Sequence, residues 1–176
     1  PPGILWQEEA WGYDVLEYHL AVPKEFYEAG HVFFMPYNVY SNFPLNGEML
    51  SMLMMALRGE AIEASLTAQM LNVGLAVLFV AAAWWTGRLY SRRVGITAGV
   101  LAASTPWLCY LSAIAYVEPG MLAMGMLSLG AMIRAARAER AARRWALAAG
   151  LLAGFACGFK YPAVPLIALQ IGRAHV

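Results

Sequence analysis

The sequence predicts an all-α, polytopic transmembrane helix bundle with an outer-face loop that contains short amphipathic helices. Three observations predict it. Of the 176 residues, 61% are hydrophobic and 13% charged, against about 45–50% and about 25% in a soluble domain. Four apolar segments follow one another after residue 63, joined by short polar turns. Positive charge gathers in two of those turns, as it does on one side of a membrane protein.

Residues 1–63 form the first section. They are mixed and aromatic-rich, with turns marked by Pro23, Gly30, Pro36, Pro44, Gly47 and Gly59. A bilayer crossing needs about 20 apolar residues, and no run here reaches that, so this section is an extramembrane layer. Pro23 suits the first turn of a short helix over 24–29 that Gly30 ends. Asn46 is a candidate N-cap for a helix carrying Met49, Met52, Met54 and Met55. That helix is expected to lie on the bilayer or on the bundle, and a methionine-lined groove is its sharper reading.

The membrane part covers 64–170, with spans at about 64–85, 94–111, 119–136 and 145–160 and a broken continuation past Pro162 and Pro165. Gly150, Gly154 and Gly158 recur every fourth residue and suggest a face for close helix packing. Cys109 and Cys157 lie in apolar runs and read as small buried residues. Residues 171–176 read as the translation of a sequencing-adapter string and are expected to be non-native. A membrane helix is expected before Pro1, and a further C-terminal portion beyond the chain.

Charge sets the orientation. Arg88, Arg92 and Arg93 lie between the first and second segments, and Arg134, Arg137, Arg140, Arg143 and Arg144 between the third and fourth. The positive-inside rule makes that side cytoplasmic. All acidic residues but Glu139 lie in the first section or at Glu118, which puts residues 1–63 and the turn at Glu118 on the outer, periplasmic face of the inner membrane. The 134–144 run reads as a solvated loop, with anionic-lipid contact as a further role. A net charge of +1, without a basic stripe interleaved with aromatics, argues against a nucleic-acid partner. The three histidines form no metal-ligand spacing. No metal site or cofactor is assigned, and a divalent metal stays an open possibility.

Three places carry candidate chemistry. In the stretch 13–24, Asp14, Glu17 and Tyr18 share a face if the segment is helical, whereas Val15, Leu16 and His19 turn elsewhere. This face either presents a carboxylate for acid/base work or is an ordinary solvated helix face. Glu118, in a short outer turn, either works at membrane depth or reaches water. Lys160, at the outer end of the fourth segment, either meets a phosphate or snorkels to the headgroups.

Taken together, Tyr13-Asp14, Tyr18-His19-Leu20, Pro23-Lys24, Asn42-Phe43-Pro44 and Glu48 resemble the first periplasmic loop of bacterial GT-C-fold glycosyltransferases. Thr105-Pro106, Tyr116-Val117-Glu118 and the run from Ala149 to Gly158-Phe159-Lys160-Tyr161 extend the resemblance. The group is the protein-mannosyltransferase and aminoarabinose-transferase-like superfamily. The resemblance implies transfer of a sugar from a polyprenyl-phosphate donor to a glycan, lipid or protein acceptor at the outer membrane face. It implies Asp14 as catalytic base, Glu118 as second acidic residue and Lys160 as phosphate contact. Glu17, Tyr18, His19 and Lys24 are the remaining candidate substrate-binding residues. The chain departs from relatives in carrying Glu118 where some have Asp and Phe159 where many have Thr. The resemblance implies that the part completing the acceptor site lies beyond the chain, and this fragment alone is expected to be inactive. The alternative reading is a transporter or lipid-flippase segment. It fits less well because transporters favour charges near the bilayer midplane. A non-catalytic membrane scaffold is a third.

Overall fold

The computed structural model describes residues 9–165, and among these there is helix and no strand. The predicted tail lies outside the described residues. Helices α1 (Glu9–Asp14) and α2 (Ala21–Ala29) are joined by a π-helical turn, Val15–His19, and a 3₁₀ turn follows at Val39–Asn42. Then come α3 (Asn46–Arg58), α4 (Ala61–Arg88), α5 (Arg92–Ala103), α6 (Pro106–Ala113), α7 (Glu118–Arg137) and α8 (Ala142–Phe159).

The first section is a layer with its own core. Tyr18, Val22, Phe26 and Met35 are buried together, flanked by Phe33, Tyr40, Leu45, Met49 and Met52. α2 begins three residues before the expected helix, and Gly30 ends it at φ 73°, a left-handed position that glycine adopts without strain. Asn46 is not the N-cap of α3. Leu45 holds that place, and the Asn46 amide instead donates to the Phe155 carbonyl at 3.3 Å. Met55 is 1% exposed and joins Ala61 and Ala64 in a second cluster, so the methionine helix packs on the bundle.

Glu60 caps α4, its carboxylate accepting from the Ile62 and Glu63 amides. α4 and α7 are the two described helices long and apolar enough to cross a membrane. α5 and α6, bent by 55° at their junction, make a third if they count as one span. The expected continuous segment over 94–111 is therefore broken. Pro106 lacks an N–H and pushes Thr105 out of helical geometry, to φ −72°, ψ 111°. α8 carries Arg143 and Arg144 in its first turn and is not among those apolar spans.

Without a hydrophobic drive between lipid-facing helices, small residues and interhelical hydrogen bonds set the packing. α4 buries Ala64, Ala68, Asn72, Ala76 and Ala83 along one face. Thr86 Oγ1 donates to the Met126 carbonyl at 3.2 Å, and Ser128 Oγ to the Ala149 carbonyl at 2.8 Å. The expected glycine face on α8 is corrected: the buried stripe is Ala149, Ala153 and Ala156. A methyl group on Gly150 or Gly154 would meet nothing within 4 Å, whereas one on Gly158 would strike Asn46. Cys109 is also corrected: it is exposed.

Gly130 is one of the positions where close approach is required, because a Cβ there would lie 2.2 Å from the Trp85 ring. Gly130→Ala is expected to cost about 1–3 kcal/mol by overpacking. Gly150→Ala should stabilise by up to about 1 kcal/mol through helix propensity alone. Thermal unfolding of the two variants in detergent, compared with the parent, checks both signs.

Candidate active site at the carboxylate-bearing end of the bundle

The site is assembled from four chain segments. The π-helical turn widens the backbone so that Tyr18 and His19 both turn inward, at 5% and 1% exposure. Leu16 is left outward, and Glu17 stays part-exposed, its backbone carbonyl accepting from Asn38 Nδ2 at 3.0 Å. Tyr18 donates to Asp14 Oδ2 at 3.3 Å, one turn back. Its ring stacks on Tyr40 at 4.8 Å and lies edge-on to Phe43 at 6.4 Å.

From the bundle side comes the turn between α6 and α7. Asn72, buried in the middle of α4, donates to the Leu111 carbonyl at 2.9 Å and the Ile114 carbonyl at 2.8 Å. It satisfies carbonyls at the end of α6 that have no helical partner and fixes the turn that carries Tyr116 and Glu118. The end of α8 supplies Lys160, whose Nζ lies 2.5 Å from Glu118 Oε1. Phe43 meets Tyr161 edge-on at 5.7 Å, tying the first section to this end of α8.

Tyr116 stands where these segments meet. Its ring lies 5.2 Å from that of His19, and Lys160 Nζ is 5.9 Å from its centroid. Burial raises its hydroxyl pKa, and the charges of Asp14 and Glu118 raise it further. The Asp14 backbone N–H, donating to that hydroxyl, works in the opposite direction. Tyr18 is raised by burial first, then by Asp14, with smaller contributions from Glu48 and Glu118. Both phenols therefore stay protonated, and Tyr18 remains a donor to Asp14. Asp14 and Glu118 act on the same two tyrosines although 104 residues separate them.

A buried pair underlies the site. His19 Nδ1 and Glu48 Oε1 are 2.5 Å apart, with side chains 0% and 1% exposed. His19 Nε2, Glu48 Oε2 and Glu118 Oε2 are buried without a hydrogen-bond partner. Unpaired buried polar atoms are costly, and in native structures they mark strain, a bound molecule or catalysis. Among the described residues no three His, Cys, Asp or Glu form a group that could hold a metal ion.

The candidates from sequence are thus divided. Asp14, Tyr18, His19, Glu118 and Lys160 come together. Glu17 is at the margin. Lys24 is elsewhere, 3.8 Å from Glu28 on an exposed face and lining an apolar groove beside Leu16 and Ile62. The expected shared face of Asp14, Glu17 and Tyr18 holds only for Asp14 and Tyr18, which are hydrogen-bonded. Lys160 turns to Glu118 rather than outward to headgroups. A small cavity of about 20 Å³ reaches Tyr116 between Ser51, Asn72 and Phe159. Asp14, Glu118 and Lys160 do not line it. Asn72 had no role in the sequence reading, and Tyr116 entered it only as part of the turn motif that ends in Glu118. The available signal for Asn72 was an amide, three residues after Gln69, inside a largely apolar run.

Residues 43–172 match the dolichyl-phosphate-mannose-protein mannosyltransferase family. The chain belongs to that family. It is a GT-C-type membrane glycosyltransferase family, which agrees with the helical fold and the apolar helices. Glu48, Tyr116, Glu118 and Lys160 fall within the matched residues, whereas Asp14, Tyr18 and His19 precede them. No curated protein and no solved structure matches the chain significantly.

Proposed function

We propose that this chain carries the sugar-transfer site of a membrane enzyme that uses a polyprenyl-phosphate-linked donor. The acceptor is a hydroxyl of a glycan, lipid or protein at the outer face of the bacterial inner membrane. The observation that carries this reading is the meeting of one carboxylate, Asp14, with one carboxylate–ammonium pair, Glu118 and Lys160, around Tyr18 and Tyr116.

The chemistry assigns each residue a task. The acceptor oxygen attacks the anomeric carbon from the face opposite the phosphate, which inverts that centre. The new C–O bond forms as the C–O bond to phosphate breaks. Asp14 takes the acceptor proton. The electron pair leaves with the polyprenyl phosphate, whose extra negative charge is met by the Lys160 ammonium. Glu118 holds that ammonium in place before the donor arrives. Tyr18, donating to Asp14, orients the carboxylate.

Lys160→Met is expected to lower kcat/KM for the lipid-phosphate donor by roughly 10–100-fold, as a charge-assisted contact of about 1.5–3 kcal/mol is lost. Lys160→Arg should keep most of it, since the charge remains. Steady-state transfer from a polyprenyl-phosphate sugar in membranes containing the intact protein measures this. Equal activity of the Met variant and the parent would remove Lys160 from the reaction.

A further inference from the structure

At the opposite, arginine-rich end, the turns after α4 and α7 close on one another. The Arg137 guanidinium donates to the Leu89 carbonyl and lies over the Tyr90 ring, 4.7 Å from its centroid. Arg134 lies over Trp145 at 5.4 Å, and Trp145 in turn is 6.4 Å from Trp85. These contacts frame an open cleft of about 290 Å³, lined by Leu89, Arg134, Arg137, Ala138 and Trp145.

The cleft has two guanidinium groups and no counter-charge. Among the described residues the ion pairs are His19–Glu48, Lys24–Glu28, Arg58–Glu63 and Glu118–Lys160, none of them here. Glu139, the acidic residue of this stretch, is exposed and forms none. Arg137 spends one N–H on Leu89 and Arg134 spends none on a hydrogen bond, so most of their forked donors remain for a ligand. The other walls are apolar or aromatic. α4 and α7 are the helices apolar enough to cross a bilayer, so their ends set the cleft at headgroup level.

We propose that this cleft binds the phosphodiester of an anionic phospholipid, independently of the sugar-transfer site. Two guanidinium forks match phosphate oxygens in a way that ammonium groups do not. Leu89 and Trp145 give the glycerol and upper acyl region an apolar wall. A soluble phosphate shares the charge chemistry but has no use for that wall, which is why a lipid is the occupant argued for.

The test is retention of phosphatidylglycerol against phosphatidylcholine by the purified intact protein, read by native mass spectrometry. Arg134→Gln/Arg137→Gln is expected to lower phosphatidylglycerol retention about tenfold. Arg92→Gln/Arg93→Gln removes the same charge from the same end outside the cleft and should change it less than about twofold. Arg134→Lys/Arg137→Lys, which keeps the charge and guards against misfolding, should also lose most of the preference. Equal losses in the cleft and control pairs would reduce the site to general attraction and overturn the proposal. Full retention by the Lys variant would overturn it too, as would displacement of the lipid by millimolar inorganic phosphate.

Discussion

Asp14→Asn in the intact protein is expected to reduce sugar transfer by about 10²–10⁴-fold, the range seen when a general base is lost. Expression and folding should be unchanged. Asn keeps the size of the side chain and can still accept from Tyr18, so the 3.3 Å contact that orients it survives. What disappears is the group that takes a proton from the acceptor hydroxyl. The effect should therefore fall on kcat, with the donor KM nearly constant, because Asp14 does not touch the leaving phosphate in this scheme. Tyr18→Phe provides the companion measurement. It removes orientation but not the base and should cost less than Asp14→Asn. Transfer assays on membranes of matched expression decide it. Near-normal turnover by Asp14→Asn would exclude the residue as base and turn attention to Glu17, the neighbouring carboxylate.

Glu48→Ala should give the largest stability loss. The His19–Glu48 contact is buried on both sides and joins the π-helical turn to α3 across 29 residues of chain. Removing one partner of such a pair costs about 3–5 kcal/mol, a large share of the roughly 5–15 kcal/mol that holds a domain. His19 would then have no partner at either ring nitrogen, since Nε2 already lacks one. Tyr18 and Asp14 sit on the same turn, so activity should fall together with stability. The double variant His19→Leu/Glu48→Leu separates the two effects. Apolar groups of similar volume should recover most of the lost stability. Activity should not return if the polar pair also serves the site. Thermal unfolding in detergent measures the first quantity and sugar transfer the second. An unchanged midpoint for Glu48→Ala would show that the pair contributes nothing to the fold.

By itself the sequence determined the class of the molecule. Hydropathy and helical period are local properties, so the apolar segments, the polar first section and the helix end at Gly30 were legible from residue order. The residue types that bear chemistry were legible as well, since a carboxylate or lysine beside an apolar segment stands out at once. Which of them meet was decided only by tertiary structure. Lys160 was open to a phosphate or a headgroup, and the fold turned it to Glu118, 42 residues away. Glu48 was one residue of a motif until α3 docked and brought it onto His19. The glycines of α8 had the right spacing for a packing face, yet the helix is rotated so that its alanines face α7. The physical reason is common to all three. Periodicity states that a helix has faces. Which face meets which neighbour depends on side-chain fit summed over several helices at once, and a single π-helical turn is enough to change the face that residues such as Glu17 and His19 present.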